Sequence, residues 1–102
     1  MGGDNSLIYQ SVSVCPKTSY TIEVYGMVAT KGTCYLQVCE NSGSSTICSK
    51  QALLKKNNWV GVSKTVTTGK TQTTAEIDIF MECLFVTQGG TSTVYIDDIK
   101  MF

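Results

Sequence analysis

Strict alternation of apolar and polar side chains is the feature that most limits what this chain can become. It runs longest in TTAEIDIFMECLFV, residues 73–86. Ile77, Ile79, Met81, Cys83 and Phe85 fall in one row; Glu76, Asp78, Phe80, Glu82 and Leu84 fall in the other. A period of two sends successive side chains to opposite faces of a strand, and no helix satisfies it. The same period recurs in residues 6–14, 20–28, 34–40, 59–69 and 93–102. It points Ile8, Val12, Val14, Ile22, Val24, Leu36 and Val38 inward, and Tyr9, Ser11, Glu23, Tyr25, Tyr35 and Gln37 outward. Residues 50–58, KQALLKKNN, depart from it: Ala52 to Leu54 could form a helical turn, but the piece is too short to stand alone. Turns are expected at CPKTS (15–19), TKG (30–32), NSGSS (41–45) and QGG (88–90). Strands with one wet face, joined by short polar turns, predict an all-β fold. The expected form is an antiparallel β-sandwich in a single domain over residues 1–102.

Composition narrows the functional classes. The formal net charge is zero, all eight basic residues are Lys, and His is absent. Such a surface does not attract a phosphate backbone or an anionic bilayer over distance, and lacks the bidentate fork of Arg. No nucleic-acid partner is expected. No apolar run reaches the roughly 20 residues of a membrane span, so no membrane partner is expected either. Five Cys in 102 residues favour an oxidising, secreted setting. MGGDNSLIYQ is not a secretory leader; the two readings agree if Met1 starts a chain whose native leader was left off. A cytoplasmic protein with free thiols is the rival reading.

The cysteine spacing offers pairings. Cys39 and Cys48 bracket a Gly/Ser loop, which a disulfide would staple. Cys34 and Cys83 share inward parity and are placed to meet across the core, leaving Cys15 beside Pro16. A four-cysteine metal site competes, but its short ligand spacing is only weakly echoed by Cys34-x₄-Cys39.

TVYIDDIKMF, residues 93–102, holds two adjacent carboxylates. Burying Lys100 is expensive, so its row is expected outside with Val94, Ile96 and Asp98. Regular alternation then turns Asp97 inward with Tyr95, Ile99 and Met101. An inward carboxylate needs N–H donors or a cation, and calcium accepts such oxygens. Adjacent residues on opposite faces do not frame a shared cleft, so the pair is not expected to cut a glycosidic bond. Without His there is no Ser-His-Asp or Cys-His machinery within the chain. No enzyme activity is expected.

The run SLIYQSVSVCPKTSYTIEVYGMV, then Trp59 with alternating apolar residues, then TVYIDDIKMF, resembles carbohydrate-binding modules of the family 4/9/22-like jelly-roll type. The likeness is to their Cys-rich fungal form and is carried by Gln10, Pro16, Tyr20 to Val24 and Tyr95 to Met101. It implies a jelly-roll sandwich that binds polysaccharide or oligosaccharide without catalysis. It also implies a structural calcium at Asp97. Such modules usually carry a further N-terminal strand ahead of the Gln strand, where this chain has only MGGDN. The expectation is an N-terminally truncated domain or one completed by another chain, through edge pairing or strand swapping in a homo-oligomer.

Sugar rings offer apolar faces to aromatic platforms and hydroxyls to amides and carboxylates. Glu23, Tyr25, Tyr35, Gln37, Asp78, Phe80 and Glu82 supply that mixture and would share one surface if their strands lie in one sheet. Tyr25 and Tyr35 are the expected platforms. The bland reading of each is cross-strand packing. Tyr9 could reach the cleft or lie under a further strand. Tyr20 and Tyr95 read as core or rim, and Trp59 reads as structural packing. The alternative function is a structural or protein-interaction sandwich that assembles with itself.

Overall fold

A computed structural model describes residues 3–29, 33–41, 46–84 and 93–102. The turns expected at 30–32 and 88–90, the loop tip at 42–45, and the orientations of Phe85 and Asp98 lie outside the described residues. Among the described residues eight strands form: β1 (Gly3–Ser13), β2 (Ser19–Val28), β3 (Thr33–Asn41), β4 (Thr46–Cys48), β5 (Ala52–Leu53), β6 (Val60–Thr67), β7 (Thr74–Leu84) and β8 (Val94–Met101). All strand pairs are antiparallel. One sheet runs β1-β7-β3-β4, with β5 also on β3; the other runs β6-β2-β8. This is the expected all-β antiparallel sandwich, and its strand order is that of a jelly roll.

The inner rows are those that alternation assigns. Ile22, Val24 and Val28 of β2 meet Cys34, Leu36 and Val38 of β3 and Ile77 and Ile79 of β7 in one buried cluster. Each such aliphatic side chain contributes roughly 1.5–3 kcal/mol by leaving water. Gly26 lets the layers approach: a Cβ there would lie 3.0 Å from Leu36 Cδ2 and 3.2 Å from Leu54 Cδ2. Residues 52–54 extend rather than coil. Ala52 and Leu53 pair with Leu36 and Tyr35, and Leu54 enters the core. Pairing with a formed sheet outweighs the weak helical preference of so short a piece. The chain then turns through Asn57, whose φ of 62° suits an Asn. At the other early turn, the buried Thr68 hydroxyl donates to the Cys15 carbonyl and accepts from the Thr18 amide at 2.8 Å, clasping Pro16 and Lys17.

The two disulfides join the predicted partners, Cys34–Cys83 and Cys39–Cys48, and Cys15 is free and exposed. Both link residues directly opposite on neighbouring strands, so Cys34–Cys83 fastens β3 to β7 within one sheet rather than sheet to sheet.

The last strand corrects the parity argument. Lys100 faces outward opposite Glu23 and Met101 faces inward opposite Ile22, as expected. Between Glu23 and Tyr25 the register shifts, so β8 carries one residue more than β2. That bulge reverses the faces N-terminal to it. Val94 and Ile96 therefore pack on the core, and Asp97 lies exposed on the outer face opposite Tyr25, not inward.

Candidate functional site

Residues directly opposite on neighbouring strands share a face. On the outer face of the larger sheet this builds a grid. Leu7, Phe80 and Gln37 line up across β1, β7 and β3. Glu82, Tyr35 and Leu53 form the row on one side, across β7, β3 and β5. Tyr9, Asp78, Cys39 and Cys48 form the row on the other side. Rows two residues apart are separated by about 7 Å. Ser6, Leu7, Gln37, Gln51, Phe80 and Glu82 line a depression of ≈ 360 Å³ in this face. Gln37 is held in place, its Nε2 donating to the Ser49 carbonyl at 2.9 Å.

Asp78 is the unusual member. It is only 4% exposed although it belongs to the outer row, because Tyr9 and the Cys39–Cys48 disulfide stand on either side of it. Its Oδ1 is buried with no hydrogen-bond partner among the described residues. Desolvation, then the hydrogen bond and charge of Glu76 on the same row, push its pKa from 3.8 to about 6. A buried, unsatisfied carboxylate oxygen has a strong appetite for a donor such as a hydroxyl.

The seven expected site residues do not share one surface. Tyr35, Gln37, Asp78, Phe80 and Glu82 come together on this grid. Glu23 and Tyr25 lie on the outer face of the other sheet, on the far side of the sandwich. They belong to β2, which pairs with β6 and β8 and with no strand of the larger sheet. Tyr25 has a structural task there. A Cβ at Gly61 would sit 2.7 Å from its Cε2, so the ring fills the space over that glycine. Gly61→Ala should force the ring aside and cost about 1 kcal/mol in chemical denaturation; an unchanged midpoint would count against the contact.

That second face carries other aromatics. Trp59, expected to be packed, is 48% exposed just before β6, and Tyr95, brought outward by the bulge, is 52% exposed. The larger sheet adds Leu7, Tyr9, Gln51 and Leu53 to the expected residues. Parity had already turned Tyr9 outward, and the same rule carried two residues back would have found Leu7. Among the described residues no group of three or more Cys, Asp and Glu is placed to hold a metal ion. Asp97, which the resemblance links to calcium, lies exposed on the outer face opposite Tyr25.

At the level of sequence, no family model and no curated protein matches the chain. Solved structures do. A structure titled "Family 16 Carbohydrate Binding Module-2" superposes with a TM-score of 0.66 at 17% identity, covering 99% of this chain and 72% of that one. A second, titled "CBM4 structure and function", gives a TM-score of 0.59 at 17% identity, covering 93% of this chain and 59% of the other. Likeness at this identity speaks to architecture: the chain has a jelly-roll fold like that of carbohydrate-binding modules.

Proposed function

We propose that this domain binds a polysaccharide or oligosaccharide, without catalysis, on the outer face of its larger sheet. The observation that carries the reading is the grid itself. Phe80 and Tyr35 stand on adjacent rows, each beside a hydrogen-bonding side chain, Gln37 or Glu82. Aromatic faces take the apolar side of a sugar ring; amide and carboxylate groups take its hydroxyls. The fold likeness to carbohydrate-binding modules supports the same reading. Nothing in it requires a cation. The two cysteine pairs suit an oxidising, extracellular setting, which we propose as the place of action.

The test is retention on a panel of soluble polysaccharides by affinity electrophoresis. Phe80→Ala and Tyr35→Ala should each weaken retention roughly tenfold or more, the effect of losing one ring contact. Tyr25→Ala and Trp59→Ala should leave it unchanged. The opposite pattern would move the site to the smaller sheet. No retention of the parent protein on any glycan would reject the reading and favour a self-assembling structural domain.

A further inference from the structure

A sheet edge exposes a row of unpaired backbone groups, and folded proteins usually blunt it. Three edges of this sandwich are blunted. β4 and β5 are three and two residues long. β8 has its bulge and Lys100. β6 has Lys64 and Gly61. β1 carries its glycine and its one charge, Gly3 and Asp4, only at its first two positions. It spans eleven residues, Gly3–Ser13, in unbroken register with β7, and contains no Pro and no Lys. Among the described residues its other side pairs with no strand. Its apolar side chains are exposed on both faces: Leu7 is 49% and Tyr9 66% exposed on the outer face, and Ile8 is 45% exposed on the inner one. Ile8 also stands, with Val12, Ile99 and Met101, around a largely apolar opening of ≈ 170 Å³ between the two sheets.

We propose that β1 docks against β1 of a second copy of this chain, antiparallel, with Ile8 on the two-fold axis. The occupant follows from the sequence of the strand. In that register all eleven residues pair, because Ile8 is the central one. Leu7 falls opposite Tyr9 of the other copy on the outer face, twice by symmetry, an aliphatic–aromatic pair of the kind that stabilises sheets. Ser6 falls opposite Gln10 on the inner face, polar against polar. Ile8 meets its own copy beside the apolar opening. A slip by one residue would put Leu7 and Tyr9 against inward positions, and of the registers that keep the faces only the one centred on Ile8 pairs the whole strand. With zero formal net charge, two copies do not repel one another at long range. The interface is isologous and closes at two. It joins the larger sheets into one continuous sheet. It rests on the β1 edge; Leu7 and Tyr9 also belong to the proposed glycan face, and the oligomeric mass reads the interface alone.

Sedimentation equilibrium over a concentration series tests it, in a Cys15→Ser background that removes thiol cross-linking. The parent should shift from the 11.1 kDa monomer to a species of twice that mass. Ile8→Lys, placing two ammonium groups face to face on the axis, should abolish the dimer. Leu7→Lys and Tyr9→Glu should each raise the dissociation constant roughly tenfold, the scale of losing two symmetry-related cross-strand pairs. Leu7→Lys/Tyr9→Glu together should recover most of it, since the register sets the two charges opposite each other. These two positions are exposed, so the charge pair reports even if Ile8→Lys fails to fold. A monomer at every concentration, an assembly that grows beyond two, or a double variant no tighter than either single variant would each overturn the proposal.

Discussion

Replacing both Cys34 and Cys83 by Ala is expected to lower the unfolding free energy by about 4 kcal/mol. The bridge spans 49 residues, and a cross-link of that length removes roughly this much freedom from the unfolded chain. Cys39–Cys48 spans only 9 residues and should be worth roughly 2.5 kcal/mol by the same rule. A domain of this size has on the order of 5–15 kcal/mol in all, so the first loss consumes much of the margin. Cys34 is fully buried and inward, so losing the bridge's two sulfur atoms also leaves a gap in the core beside Leu36. Urea titration followed by far-UV circular dichroism measures both variants. The denaturant dependence should steepen in each, because an uncrosslinked unfolded chain exposes more surface. Equal losses from the two double variants, or a loss under about 1 kcal/mol at Cys34–Cys83, would show that loop closure is not what the bridge supplies.

Asp78→Asn should stabilise the protein at pH 7 and change little at pH 4. The native pKa of Asp78 is about 6, above its ordinary 3.8, chiefly because burial disfavours the charge. A raised carboxylate pKa means that the native state holds its proton more tightly than the unfolded state does. Stability from this group is therefore complete below about pH 4 and is lost as pH rises towards 6. Above that window both states are ionised and the loss stays constant. Two units correspond to roughly 2–3 kcal/mol. Glu76 lies on the same row and adds to the shift, while the facing strands bring Tyr9 and the Cys39–Cys48 disulfide, neither a cation. Denaturant unfolding at several pH values should show parent and variant converging near pH 4 and separating by about 1–3 kcal/mol at pH 7. Parallel curves across that range would mean that the carboxylate titrates in the native protein as it does in the unfolded one.

Much of the architecture was legible from residue types. Alternation in residues 73–86 named both rows of β7, and the same rule sorted β2 and β3 correctly. The cysteine partners followed from parity and loop position. Trp59 shows the first limit. An indole reads as core, yet it stands outside because it precedes a strand of the smaller sheet whose inner row begins at Val60. Asp97 shows the second. One additional residue in β8 relative to β2 inverted Val94, Ile96 and Asp97, and nothing in TVYIDDIKMF marks that insertion.

The division has a physical basis. Which way a side chain points within a strand is set by its own backbone over two residues, so the sequence determined the strands, their wet and dry rows and the aromatic–polar mixture on the wet ones. Which sheet a strand joins depends on partners distant in the chain, so only the tertiary structure could part Glu23 and Tyr25 from Tyr35, Gln37, Asp78, Phe80 and Glu82. The same long-range pairing enclosed Asp78 between Tyr9 and a disulfide and, among the described residues, paired β1 on one side alone. Those placements follow from strand pairing, which side-chain alternation does not encode.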